Sequence, residues 1–392
     1  MTTTAQRMLV SIRELAPAIT ARAAGIEANR EVPADLLDAL RSIGVFRIFV
    51  PQSHGGLELT LPEALEIIGA LARIDGSIGW ISMIGSGSAL FASLLPKESY
   101  GEFYKDGPDV IIAGSAVPLG TAEQVDGGWL VNGRWPFASG CTHAGWILGL
   151  CIMTSGGKPL PGAAGEGSPL IRGFLSPASG WQIEDTWHVI GLKGTGSHHI
   201  ALKDTIVPDA QFFEIAGGKP CLPGPLYQAV SSIIPILHGA IAVGIAEGAL
   251  DDLLQLANTG WKQLRGTVPV RDSEIFQGEL GRISAEIRAA RAFLEGQAAS
   301  LWRHALAGTL TDSGLATQAT QTAIWLATTC LRATDACFAL GGSSALYENS
   351  PLQRRLRDLR TAAQHGVVQQ RNYVAAGKWL LDISATAPKI SA

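Results

Sequence analysis

Among the eight histidines of this 392-residue chain, His365 sits in the setting best suited to proton transfer. Its helical neighbours Thr361, Ala362, Val368 and Gln369 are small, apolar or neutral, which suits a pocket wall. An imidazole titrates near pH ~6.5 when unperturbed, so it can accept a proton from a weakly acidic hydroxyl near neutrality. The plainer reading of a lone helical histidine is a hydrogen-bonded bundle residue. His198 and His199 adjoin each other. On a strand they face opposite sides, so they cannot share one metal ion. Ser139, followed by Gly140, reads from the residues alone as a turn serine. In "LKGTGS", Gly194 and Gly196 separate Lys193, Thr195 and Ser197 and allow close approach of a ligand to the backbone. Trp80, Phe137 and Trp146 offer aromatic faces, with core packing an equal claim on each. His143 divides evenly between a hydrogen-bonding and a structural role.

Other motifs carry less chemistry. The five cysteines (Cys141, Cys151, Cys221, Cys330, Cys337) show no CxxC pairing and fit reduced thiols rather than disulfides or a zinc site. "SGGKPLPGAAGEGS" from Ser155 precedes no helix of the kind a phosphate loop must open, so a mobile surface loop is expected. "RRLRDLR" (354–360) reads as a charged helix face with internal i,i+3 and i,i+4 pairs, not an anion site.

The elements that must position these residues follow from periodicity. Residues 1–109 read as a helical domain. Pro33 opens one helix whose stripe is Leu36, Leu37, Leu40 and Ile43, and Thr60 caps another. From 110 to 215 the period falls to two. Asp126-Gly127-Gly128 and Asn132-Gly133 give hairpin signals, and short strands continue to Pro208. Residues 216–392 read as a four-helix bundle, with a seam through Phe276, Leu280, Ile283, Ile287, Ala290, Leu294, Ala298 and Leu301. The segment from Val230 has the length of a membrane span, but Pro235, His238 and Glu247 favour a buried bundle helix. The order helical, β, helical makes an α+β fold with a central β-barrel-like domain, and excludes a doubly wound nucleotide-binding sheet. A net charge of −4 gives no footprint for nucleic acid or anionic membrane. Only 16% of residues are charged, which implies extra buried surface in a core or between subunits. The N-terminus has no signal-peptide pattern, so a cytoplasmic protein is expected.

Four strings in this order resemble the acyl-CoA dehydrogenase superfamily over nearly the whole chain. They are "FVPQSHGG" (49–56), "WLVNGRWPFASGCTHAGW" (129–146), "IGLKGTGSHHIALKDTIVP" (190–208) and "GGSSALYENSPLQRRLRDLR" (341–360). Phe137 and Ser139 fall on that family's tryptophan-x-threonine flavin contact. His365-Gly366 stands where the dehydrogenases carry a catalytic glutamate and glycine. The family's arginine-x-x-phenylalanine-glycine motif for the FAD pyrophosphate is absent. "DGSIGW" (75–80) and "SGCTHAGW" (139–146) resemble its branch of two-component flavin monooxygenases, which hydroxylate phenolic steroid fragments, 4-hydroxyphenylacetate and dibenzothiophene.

The resemblance implies an oxygenase component that takes reduced flavin, FMNH2 or FADH2, from a separate NAD(P)H:flavin reductase. With O2 as cosubstrate and no metal, it would hydroxylate an aromatic or other apolar small molecule through a flavin C4a-hydroperoxide. Such a site must exclude water, hold flavin N5 and deprotonate a phenol. Ser139 is implied at N5 and His365 as base. Phe137, Trp80 and His143 are implied around the ring, with Lys193, Thr195 and Ser197 near the flavin tail. Lys193 stands where the family often has arginine, and lacks its bidentate reach. A homotetramer is implied as well. Two other readings remain open here: a true acyl-CoA dehydrogenase with FAD and a relocated carboxylate such as Glu348, and a catalytically silent binding scaffold.

Overall fold

The computed structural model describes residues 1–162, 167–215, 217–262 and 266–381. Helices α1 (Thr3–Asn29), α2 (Ala34–Ile43), α3 (Leu61–Ile74), α4 (Gly76–Gly87), α5 (Ala89–Ala92) and α6 (Lys97–Phe103) form its first third. Their ends follow local chemistry. Pro33 precedes α2, and Gly44 stops it at φ 94°, where a side chain is strained. Thr60 and Glu63 close a reciprocal capping box on α3. Asp75 ends α3 and starts α4, its carboxylate accepting from the Ser77 and Ile78 N–H groups at 2.9 and 3.1 Å.

A mixed sheet follows, made of β1 (Ile112–Gly114), β2 (Gly120–Val125), β3 (Gly128–Ala138), β4 (Trp146–Ser155), β5 (Lys158–Pro159), β6 (Ile171–Pro177), β7 (Gln182–Glu184), β8 (His198–Val207) and β9 (Phe212–Phe213). Its strand order is β7-β8-β3-β2-β4-β6-β9, with β1 and β5 also paired to β4. Trp135, Phe174 and Trp181 fill one face, the last two stacked at 5.6 Å. Asp126-Gly127 is the β2–β3 hairpin, as expected. Asn132-Gly133 is not a turn. It lies inside β3 at a register shift against β8, where a Cβ on Gly133 would come within 2.7 Å of Gly120 Cα. The glycine-rich loop is also partly ordered as strand, since Lys158–Pro159 pairs back on β4. Its residues 163–166 lie outside the described residues.

Helices α7 (Val230–Asn258), α8 (Glu274–Leu306), α9 (Ser313–Leu340) and α10 (Pro351–Ala362) build the C-terminal layer, with α11 (Tyr373–Leu380) against α9. The α8 seam is buried at every expected position except Leu280, which is half-buried. The most apolar window of α7 is 83% buried, as a central core helix requires. Gly244 lets α7 meet α3, because a Cβ there would sit 2.4 Å from Gly69 O.

The arginines of 354–360 do not make the expected set of internal pairs. Arg355 reaches Asp252 on α7 at 2.9 Å, Arg360 reaches Asp335 on α9 at 3.0 Å, and Arg357 binds Glu27 on α1 and Ile190 O. Only the 2.6 Å Arg357–Gln353 bond stays within α10. The helix lies across its neighbours, so its cations pair with their carboxylates rather than along its own surface.

Candidate active site

The end of β3 carries the first group. Between Trp135 and Ala138 the register against β8 shifts, and Phe137 takes φ 65°. That left-handed turn projects its ring outward, 61% exposed, while Ser139 two residues on is buried. Phe137 meets the edges of Trp187 and His199, each at 6.3 Å.

Ser139 Oγ accepts the Trp80 indole N–H at 3.0 Å and lies 2.7 Å from Ser197 Oγ. Ser197 is 2.7 Å from Thr195 Oγ1, which donates to Leu192 O, also at 2.7 Å. Ser139, Thr195 and Ser197 are all buried. Leu192 is fixed from the other side, since its N–H donates to Asp358 Oδ1 at 2.6 Å. Burial and the nearby Asp75 raise the Asp358 carboxyl to about 7.

Trp80 also joins the second group. Its ring lies edge-on to His238 at 5.3 Å and to His365 at 5.7 Å, and the two imidazoles stack at 4.2 Å with 24° between planes. His365 follows α10 and caps a 3-10 turn, its Nδ1 accepting from Val367 N–H at 3.3 Å. A neutral ring so held carries its proton on Nε2. Burial lowers His365 to about 4, so it is neutral at pH 7. Burial and His365 hold His238 well below the usual imidazole range, and its buried Nδ1 has no hydrogen-bond partner among the described residues.

Other predicted residues lie apart from these contacts. Lys193 turns to Glu27 at 3.8 Å, and both line a narrow polar cavity with Asp75, Ser77, Arg354 and Asp358. His143 is lowered by burial. Its Nε2 lies 3.5 Å from the Glu31 carboxylate but outside hydrogen-bond geometry. Trp146 packs on Phe103 at 4.8 Å. His198 accepts the Thr186 and Trp187 N–H groups, whereas His199 touches Phe137. Glu348 is exposed in the turn before α10.

Residues 2–97 match the family model "Acyl-CoA dehydrogenase, N-terminal domain", and residues 236–370 match "Acyl-CoA dehydrogenase, C-terminal domain". Indole-3-acetate monooxygenase of Pseudomonas putida is 32% identical over 358 residues, covering 91% of this chain and 89% of that one. The oxygenase component of the FADH2-dependent resorcinol hydroxylase of Rhizobium sp. (strain MTP-10005) is 33% identical over 273 residues, 67% of this chain and 64% of that one. The crystal structure of the HsaA monooxygenase from M. tuberculosis superposes with a TM-score of 0.88 at 28% identity, covering 98% of this chain and 99% of that one. The chain belongs to the flavin-dependent monooxygenases of the acyl-CoA dehydrogenase family.

Sequence reasoning passed over two residues of this monooxygenase. His238 entered only as an interruption of an apolar helix. That was its signal, because an imidazole inside a helix long and apolar enough to cross a membrane needs a reason to be there. Asp358 falls in the 354–360 run, which reads as a charged helix face, and in the arginine-aspartate pair of the family resemblance, with no role at the site attached to it. Its burial depends on α10 crossing the 190–196 segment, a tertiary fact with no local pattern.

Proposed function

We propose that this monooxygenase is the oxygenase component of a two-component system. It takes FMNH2 or FADH2 from a separate NAD(P)H:flavin reductase and hydroxylates an aromatic or other apolar small molecule. The observation that carries the reading is Trp80, whose one indole hydrogen-bonds Ser139 and meets His365 edge-on. It ties a hydroxyl suited to a flavin nitrogen to an imidazole suited to a substrate hydroxyl. The residues fit an isoalloxazine: Phe137 offers an exposed ring face beside the buried Ser139 hydroxyl, as a flat ring with a polar edge requires.

Reduced flavin, when bound, supplies the electron pair that activates O2. Ser139 would hold it at N5, and Trp80 and Phe137 would wall the ring against water. Thr195 and Ser197 stand behind Ser139, while Lys193 and His143 would serve the flavin periphery. His365 takes the substrate proton at Nε2. This needs the ring proton moved to Nδ1 and the long Val367 contact given up, at a cost on the order of 1 kcal/mol. The low basicity of the buried ring rises once an anionic substrate oxygen faces it. The enzyme works as a cytoplasmic homotetramer, with units spanning 1–109, 110–215 and 216–392.

The test is turnover of resorcinol and indole-3-acetate with O2, NADH, flavin and an added flavin reductase. Hydroxylated product that requires the reductase is expected. Oxidation of NADH by this chain alone, or bleaching of bound FAD by an acyl-CoA, would overturn the proposal.

A further inference from the structure

The hydroxyl row behind Trp80 has a direction. Thr195 Oγ1 lies 2.7 Å from the Leu192 carbonyl, which only accepts, so the threonine proton is committed there. At 2.7 Å from Thr195, the Ser197 hydroxyl must then be the donor. The same step repeats once more: Ser197 has no proton left for Ser139, so Ser139 donates to Ser197 across 2.7 Å. The indole N–H of Trp80 occupies one Ser139 lone pair. What Ser139 has left to offer a ligand is its second lone pair.

We propose that Trp80, Ser197 and Thr195 are positioning residues that fix Ser139 as a hydrogen-bond acceptor and so make the site select reduced over oxidised flavin. This rests on the reading that Ser139 meets flavin N5. In reduced flavin N5 carries a hydrogen and donates. In oxidised flavin N5 is a bare acceptor, and against Ser139 it would place lone pair against lone pair. A mismatched buried polar pair of this kind weakens binding roughly tenfold to a hundredfold. The preference suits an oxygenase that must receive reduced flavin and release the spent, oxidised form. The direction of the row is set at the end opposite Ser139, by the carbonyl of Leu192, whose own N–H is tied to Asp358.

The experiment is anaerobic titration of FMN and FAD, oxidised and dithionite-reduced, into the full-length enzyme and four variants. Ser197→Ala removes the acceptor for the Ser139 proton, which becomes free to point at N5. Oxidised flavin should then bind about tenfold more tightly, with the reduced form little changed. Thr195→Val frees the Ser197 proton to turn onto Ser139 and should shift the ratio in the same direction, while Thr195→Ser should keep the wild-type ratio. Tighter binding of oxidised flavin is a gain that a merely damaged site does not produce. Ser139→Ala should lose affinity for reduced flavin. If Ser139→Ala changes the ratio but Ser197→Ala and Thr195→Val do not, the row does not set the selection and the proposal falls. If Ser139→Ala leaves the ratio unchanged, Ser139 does not meet N5, and the placement beneath the proposal falls with it.

Discussion

Replacing Asp358 with Asn should make the enzyme gain stability relative to wild type as pH rises. Asp358 is 3% exposed, makes no salt bridge among the described residues although Arg354 lies near enough to favour its charged form, and accepts the Leu192 N–H at 2.6 Å. Burial, with Asp75 close by, raises its carboxyl from 3.8 to about 7. Between those values the folded protein holds a proton that the unfolded chain has released. Stability from this group is therefore full below about pH 4 and is lost as pH rises through about 7. At about 1.4 kcal/mol per unit, the loss between pH ~5 and ~8.5 is about 3 kcal/mol. Asn keeps the carbonyl oxygen for Leu192 and has nothing to ionise, so it escapes that loss. Titrations of groups that do not interact with Asp358 cancel in the comparison. His365, neutral in the fold, removes stability as pH falls from about 6.5 toward 4, but both proteins carry it. Urea unfolding at the two pH values, at one protein concentration, gives the difference directly. A wild-type-minus-variant difference that stays constant, or one that favours wild type more at high pH, would refute the assignment of a protonated Asp358.

Three further outcomes follow from single contacts. His365→Gln should cut product formation by roughly 10²- to 10⁴-fold, the usual worth of a positioned acid–base group, with flavin affinity nearly unchanged; titration and coupled turnover on one preparation separate the two effects. Thr60→Ala breaks the capping box with Glu63 and should lower stability by about 1 kcal/mol, read as a small drop in Tm without loss of flavin binding. In Gly191→Ala the new Cβ would stand 2.1 Å from Arg357 O and 2.7 Å from Asp358 N. It must push the 190–196 segment off α10, so a loss of about 1–3 kcal/mol should come with weaker flavin binding. Wild-type Tm in that variant would refute the packing.

What the sequence disclosed and what it hid divide along the range of the interactions involved. Pro33, Thr60 and the α8 seam follow from chemistry within a few residues of one another, and each has a pattern a reader can see. Asn132-Gly133 carries a true hairpin signal and still lies within a strand, because β8 and Gly120 press on it from outside its own segment. The site repeats this division. Ser139 and His365 stand out by their places in motifs, but the indole joining them comes from α4, more than fifty residues from one and nearly three hundred from the other. His238 and Asp358 are harder still to see. Each is a polar residue in a helix, and only burial separates it from a surface charge or a packing defect. Only His238 is marked by conflict with its segment, an imidazole in a long apolar helix, whereas Asp358 sits in a charged run that gives no sign of its burial. A local choice that opposes its segment is where a fold keeps its functional constraints, so such conflicts are the positions to test first in a chain of this kind.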